Sequence, residues 1–159
     1  MMHKRAYFNE YRGDGWPTVE RLQSIFLTAL GKDGFGNHDN DSWGFDVEGL
    51  HGTEGLPQRD SVNVHLYLTG NPDHGVTLQY DRWDGRIHRR DSYNSKGDLS
   101  RLREFVRSLH GTPLSLGLFI PFETAWKAVK EFIETDGELP TSIEWIESRD
   151  LPPETFPDP

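Results

Sequence analysis

Cysteine is absent from this sequence of 159 residues. Its absence excludes disulfide bonds and thiolate sites, and it is typical of proteins made in a reducing compartment. Long apolar runs are also absent, since no window approaches the roughly 20 apolar residues that a membrane-spanning helix requires. Residues 1–11 mix charged and aromatic side chains and lack the apolar stretch of a signal peptide. We therefore expect a cytoplasmic protein that does not bind membranes.

Catalytic and metal-binding motifs are also missing. The seven histidines include no pair spaced four residues apart, and neither an HExxH nor a GxSxG motif occurs. Gly34-Phe35-Gly36 lacks the third glycine and the following helix of a dinucleotide-binding loop. Residues 33–42 are acidic but break the alternation of oxygen ligands in a calcium-binding loop. The sequence therefore predicts no catalytic residue, no cofactor and no metal, in a protein that is not an enzyme.

Negative charge is plentiful and unevenly distributed. The net charge is −9, and residues 33–60 carry seven acidic residues against one arginine. Residues 123–159 are also acidic, whereas residues 81–107 carry eight basic residues against five acidic ones. This distribution argues against a nucleic-acid partner, because nucleic-acid binding depends on neutralising phosphates. It favours a basic protein partner, since complementary charge accelerates association.

The acidic segment 33–60 and two tryptophans form the predicted contact surface for that partner. Trp43 follows the acidic loop directly, and Trp83 falls on the strand face opposite its apolar neighbours. An aromatic anchor surrounded by charged residues is typical of a protein-recognition hot spot. The predicted partner-binding residues are Asp39, Asp41, Trp43, Asp46, Glu48, Glu54 and Trp83.

Apolar residues at spacings of three and four predict three helices, over residues 16–30, 99–109 and 121–134. Pro121 suits the first turn of the third helix, and Gly137 suits its end. Alternation of apolar and polar residues predicts strands over residues 43–48, 61–68, 76–80 and 141–146, and the turn Asp84-Gly85 leads into a further predicted strand over residues 87–93. We expect an α+β fold in which an antiparallel sheet, a meander of about four to five strands, packs against about three helices.

The whole chain has the length of one domain. We expect residues 1–150 to form a single α+β domain and residues 151–159 to form an extended tail, because four of the last nine residues are proline.

Three motifs in the C-terminal half occur in a familiar order. The first is residues 91–98 (DSYNSKGD), the second is Ile120-Pro121-Phe122-Glu123 at the start of the third helix, and the third is the closing segment 137–145 (GELPTSIEW). Together they resemble the immunity protein 1 family of bacterial polymorphic toxin systems over residues 61–146. The chain departs from the family pattern at Ser92-Tyr93-Asn94, where an aromatic pair is usual, and in the insertion-like stretch 99–110.

The resemblance implies an α+β protein made beside a secreted toxin, often one of the nucleic-acid deaminase type. Such a protein binds its cognate toxin and blocks the toxin's active site. An acidic chain without reactive groups suits that role, because it can imitate the phosphate charge of a nucleic acid. Two alternatives remain open. One is a small hydrolase that uses His65, Asp81 and His88, and the other is a ligand or peptide sensor that uses the tail 151–159.

Overall fold

The computed structural model of the protein describes residues 2–8, 11–27 and 41–158. It contains ten strands and two α-helices within those residues. The strands are β1 (His3–Phe8), β2 (Tyr11–Asp14), β3 (Ser42–Leu50), β4 (Val62–Asn71), β5 (Gly75–Asp84), β6 (Arg89–Ser95), β7 (Phe105–Arg107), β8 (Pro113–Ser115), β9 (Phe119–Ile120) and β10 (Trp145–Glu147). The helices are α1 (Val19–Phe26) and α2 (Phe122–Glu134).

Eight strands form one antiparallel sheet in the order β10-β6-β5-β4-β3-β1-β2, with β9 paired to one end of β5. The central meander of β3 to β6 agrees with the predicted strands. The sheet is nevertheless larger than predicted, because β1 pairs with β3 and β2 extends that edge. The predicted strand over residues 141–146 is present only from Trp145, where β10 pairs with β6.

Alternation along the central strands places the core on one face of the sheet. Val62, Leu66 and Leu68 are completely buried, whereas His65 and Tyr67 between them point to the opposite face. A polar residue at every second position is compatible with burial of one face only. The sheet therefore has one apolar face and one polar face.

Both helices cover the apolar face. Phe26 of α1 packs its ring 5.5 Å from that of Trp43, and Phe132 of α2 lies 6.4 Å from Phe45. Thr18 caps α1 by accepting a hydrogen bond from the backbone nitrogen of Arg21 at 3.2 Å. The core is therefore a two-layer packing of helices on a sheet.

The fold-class prediction was wrong about the helices, because the described residues contain two helices rather than about three. Residues 99–109 form a short 3₁₀ turn (Leu99–Arg101) followed by β7, which pairs with β8 in a separate hairpin. The Glu104 carbonyl accepts a hydrogen bond from the Leu116 nitrogen at 2.8 Å, so it is not used within a helix. Phe105 and Leu109 stay 38% and 58% exposed. The apolar residues of this segment therefore have the spacing of a buried helical face, although the segment does not form a helix.

The end of the chain packs against this hairpin region. Leu151 and Thr155 are buried, and Pro153–Thr155 form another 3₁₀ turn. The division of the chain at residue 150 stays a prediction. In the part of the chain that the structure describes, no helix has the length and apolarity needed to cross a membrane.

Candidate partner-binding surface

Neither of the two helices in the described residues lies on the polar face of the sheet, and we call this face the open face. Its side chains lie in lateral rows, because residues paired across antiparallel strands point to the same side. The first row is His3, Glu48, Asn63, Trp83 and Arg90; the second is Arg5, Asp46, His65, Asp81 and Ser92; the third is Tyr7, Gly44, Tyr67, Gln79 and Asn94. The hairpin β7–β8 and the tail border the third row, since Pro113, Leu114 and Phe156 line a small cavity together with Tyr67.

A larger cavity of about 630 Å³ lies over the first two rows. Its open-face lining is Asp46, Glu48, Asn63, His65, Asp81, Trp83 and Arg90. Gln58 and Arg59, at the 3₁₀ turn Gln58–Asp60, close one side. The floor consists of the strands β3, β4, β5 and β6. The cavity is therefore an open concave surface of mixed polarity.

Trp83 forms one wall of this cavity. Its indole Nε1 donates a hydrogen bond to the carbonyl of Arg59 at 3.0 Å. The guanidinium of Arg90 lies 5.7 Å from the ring centroid, and His88 packs edge-on at 5.9 Å. Because the ring is held from several sides, its orientation is set before any partner arrives.

The carboxylates of the second row are held by neutral or weakly basic groups. Asp46 is hydrogen-bonded to Nδ1 of His65. Asp81 accepts a hydrogen bond from the Ser92 hydroxyl at 2.6 Å and lies 3.4 Å from the Gln79 amide nitrogen. Within residues 2–8, 11–27 and 41–158, neither a lysine nor an arginine forms an ion pair with Asp46, Glu48 or Asp81. Among the described residues, the three carboxylates in the middle of the open face therefore have no lysine or arginine within ion-pair distance, although Arg5 neighbours Asp46 in the second row and Arg59 and Arg90 line the same cavity.

Unlike these three carboxylates, Asp84 at the end of β5 forms an ion pair with an arginine, Arg86. Asp84 accepts hydrogen bonds from Nε and Nη2 of Arg86 at 3.0 and 2.8 Å, and from the Arg86 backbone nitrogen at 3.0 Å. These bonds lower the pKa of Asp84 to about 2. This pair fixes the turn between β5 and β6 and, with it, the position of His88 beside Trp83.

The structure brings three of the predicted partner-binding residues together, since Asp46, Glu48 and Trp83 all line the cavity. Glu54 is exposed in the loop that follows β3. Asp39 lies outside the described residues.

The remaining two predicted contact residues point into the protein. Trp43 is 0% exposed and packs between the rings of Phe8 and Phe26. Asp41 is 5% exposed and accepts a hydrogen bond from the Leu109 nitrogen at 2.9 Å. Neither side chain offers appreciable surface to another protein, so the contact surface proposed below is drawn without them.

The open face also contains residues that the prediction of a partner surface did not include. Tyr7 and Tyr67 are 37% and 42% exposed, and Asp81 lines the cavity. The outward positions of His65 and Tyr67 follow from alternation in β4, but Tyr7 had no such signal because β1 was not predicted. The register of the sheet, which the sequence does not specify, is what places these residues beside Asp46.

The three residues of the hydrolase alternative bond to different groups. His65 bonds to Asp46, Asp81 bonds to Ser92, and His88 packs against Trp83 outside the cavity lining. In an active site, the general base should instead lie within hydrogen-bond reach of the proton that it removes from the substrate. No group of three or more histidine, aspartate or glutamate side chains suited to a metal ion occurs among the described residues.

The sequence matches a family model described as Immunity protein Imm1 over residues 5–147. The matched region covers most of the chain and contains both helices, the central strands and therefore nearly all of the open face. No curated protein and no solved structure shows a significant match.

Proposed function

The chain belongs to the Imm1 family of immunity proteins, and from this premise we propose that it binds one cognate bacterial toxin and neutralises it by covering the toxin's active site. The action is stoichiometric occlusion rather than catalysis. It takes place in the cytoplasm of the producing cell or its sister cells. The family assignment supports the immunity role, and the physical character of the open face supports the mode of action.

The open face is the toxin-binding surface in this proposal. The observation that carries it is the group Asp46, Glu48 and Asp81, three carboxylates around a cavity of about 630 Å³ that form no ion pair with a lysine or arginine among the described residues. Carboxylates on a concave surface that are not tied into ion pairs with lysine or arginine are suited to a partner of opposite charge. Trp83 contributes an aromatic wall of the kind that is enriched at protein interfaces.

A basic toxin is the partner with matching charge. Toxins that process nucleic acids need cationic substrate sites, because they bind phosphates. Carboxylates on the open face would occupy such a site in place of the substrate's phosphates. The long-range attraction also speeds the encounter, and at physiological salt it acts over a distance of about 8 Å.

Co-expression tests the proposed function. The partner is the C-terminal domain of a large secreted protein that we expect to be encoded next to this gene. Cells producing that domain alone should stop growing, and cells that also produce this chain should grow and yield a one-to-one complex on size-exclusion chromatography.

The inhibition curve distinguishes occlusion from catalysis. Toxin activity should fall linearly with added chain and reach its minimum at one equivalent. Loss of toxin activity at far lower ratios would point to enzymatic inactivation and would contradict the proposal, as would growth protection without a complex.

A further inference from the structure

A second, smaller cavity lies beside the third row of the open face, and we call it the tail cavity. Strands β4, β5 and β6 form its floor, residues 112–115 at β8 form one wall, and residues 155–157 near the end of the chain form another. Tyr67 and Phe156 are the large side chains of this lining that stay exposed, at 42% and 51%. Two aromatic rings therefore border the opening of the tail cavity.

The volume of the tail cavity, about 210 Å³, limits what can occupy it. Cavities that hold a whole small-molecule ligand usually measure about 300–1,000 Å³. A single water molecule takes up only about 30 Å³. The tail cavity therefore suits one large amino-acid side chain. Because it borders the third row, a protein that covers the open face would bring its own side chains to the opening.

The lining of the tail cavity favours an uncharged side chain. In the part of the chain that the structure describes, this lining contains neither an acidic nor a basic residue. A lysine or arginine buried there would lose its hydration without gaining a carboxylate partner. The carboxylates of the open face lie instead around the larger cavity, over the first two rows. The two cavities therefore select different chemistry.

Two buried side chains of the lining carry a polar atom that has no hydrogen-bond partner among the described residues. Asn94 is 3% exposed, and its Nδ2 donates to the Ser148 hydroxyl at 2.8 Å, whereas its Oδ1 accepts no hydrogen bond from those residues. Thr155 is 2% exposed, and its hydroxyl is also unpaired. Unpaired buried polar atoms are uncommon and unfavourable in native proteins. The tail cavity is therefore a place where a ligand can supply a missing hydrogen bond.

Tyrosine combines an uncharged ring with a hydrogen-bond donor at the tip of that ring. In the tail cavity, the ring would contact Tyr67 and Phe156 at the opening, and the hydroxyl would reach the buried Asn94 at the floor. A phenylalanine or leucine would leave Asn94 Oδ1 unpaired. The N–H of tryptophan lies on the side of a wider ring. We propose that the tail cavity receives a tyrosine side chain of the toxin, an inference that rests on the proposed function and names one of its contacts.

The tail contributes a wall that the family model does not include. Residues 155–157 lie beyond residue 147, where the match to the family model ends. The residues around the larger cavity all lie within the matched region. A contact with the tail wall is therefore suited to discriminating between cognate and non-cognate toxins, since specificity is a difference between affinities for competing partners.

Amides of single amino acids test the tail cavity without the toxin. The full chain, with the side-chain amide signals of Asn94 and the methyl signals of Leu114 and Thr155 assigned by NMR, is titrated with N-acetyl-tyrosinamide. The matched probes are N-acetyl-phenylalaninamide and N-acetyl-tryptophanamide. Saturable shifts of the assigned signals are expected for the tyrosine probe. The phenylalanine probe should bind about fivefold more weakly, because it lacks one hydrogen bond.

Two results of this titration would overturn the inference. One is the absence of a saturable shift up to about 20 mM tyrosine probe, a concentration that covers the millimolar affinity of a single side chain. The other is equal or tighter binding of the phenylalanine or tryptophan probe.

A variant at the opening provides the second test. Phe156→Ala removes one of the two aromatic rings, so it should weaken the tyrosine probe by about fivefold and speed dissociation of the toxin complex by about tenfold. Leu56→Ala is the matched control for the probe, since Leu56 is also 51% exposed and does not line the tail cavity. It should change the affinity for the probe by less than about twofold. Equal affinities of the two variants for the probe would contradict the inference.

The two proposals fail separately. Neutralisation of the toxin with an unchanged dissociation rate for Phe156→Ala would contradict the tyrosine contact alone. Absence of any toxin complex would contradict the proposed function, and the titration with N-acetyl-tyrosinamide would still decide whether the tail cavity binds tyrosine.

Discussion

Tyr80, in the middle of the sheet, donates its hydroxyl hydrogen to the carbonyl of Gly137 at 2.8 Å. This bond joins β5 to the turn that ends α2, where the Gly137 nitrogen donates to the carbonyl of Phe132 at 2.9 Å. Burial raises the pKa of Tyr80, so the hydroxyl keeps its proton and stays a donor over the physiological range.

Removing that hydroxyl should destabilise the protein. Tyr80→Phe keeps the ring but leaves a buried carbonyl without its partner, which costs about 1–2 kcal/mol. The free energy of unfolding in urea measures the effect. Tyr67→Phe, at an exposed position on the open face, should change it by less than about 0.5 kcal/mol. An equal effect of the two substitutions would contradict the structural role of Tyr80.

The Asp84–Arg86 pair should make stability depend on acid pH. The pKa of Asp84 in the folded protein is about 2, below its ordinary value, so the pair stabilises the fold above about pH 4 and that contribution is lost as the pH falls towards 2. Arg86→Ala should therefore unfold at a lower temperature than the original protein at pH 7. The difference in unfolding temperature between the two proteins should shrink towards zero at pH 2, and a constant difference would contradict the assignment.

Gly75 should not tolerate a side chain. Its φ is +103°, and a methyl group would overlap the carbonyl oxygen of Ile120 on β9. Gly75→Ala should lower the free energy of unfolding by about 2 kcal/mol or more, because backbone strain and steric overlap add. Gly44→Ala is the matched control, since its methyl would make contacts of 3.4 Å or more. Denaturant unfolding of both variants gives the comparison, and similar stabilities would contradict the packing of β9 on β5.

Replacing each of two buried threonines by valine should change the free energy of unfolding in opposite directions. Thr155 is 2% exposed, and its hydroxyl has no hydrogen-bond partner among the described residues. Thr53 is 4% exposed, donates to the Leu50 carbonyl at 2.6 Å and accepts from the Val62 nitrogen at 2.9 Å. Thr155→Val should raise the free energy of unfolding by about 0.5–1 kcal/mol, and Thr53→Val should lower it by about 1–3 kcal/mol. Loss of stability in Thr155→Val would show that its hydroxyl is satisfied in solution.

The alternation of apolar and polar residues along the sequence was sufficient to predict the central strands. Strict alternation in β3 and β4 identified both strands, because one buried face imposes a period of two. The same alternation puts Trp43 on the side of Phe45 and Val47, which is the core side. Predicting Trp43 as a partner contact gave more weight to its neighbouring acidic loop than to this periodicity.

Pairing between distant segments is what the sequence did not reveal. Residues 99–109 have helical apolar spacing, yet the backbone groups of residues 104–108 pair with residues 112–116 in and beside the β7–β8 hairpin. The position of β1 beside β3 likewise depends on a contact over about 40 residues, and it places Tyr7 opposite Gly44. Of the acidic residues on the candidate surface, Asp46 and Glu48 could be predicted from the acidic segment 33–60, whereas Asp81 could not. The aromatic half depends on this register.

Charge reversal on the open face tests the central claim most directly. One variant carries Asp46→Lys, Glu48→Lys and Asp81→Lys; the control carries Glu20→Lys, Glu123→Lys and Glu134→Lys on the helix side, with the same net charge. Association of each variant with the toxin domain is measured by stopped flow at low and high salt. We predict that the open-face variant associates about tenfold or more slowly at low salt and that the control slows by less than about threefold. Equal slowing of the two variants, or an unchanged rate for the open-face variant, would contradict the claim that the open face binds the toxin.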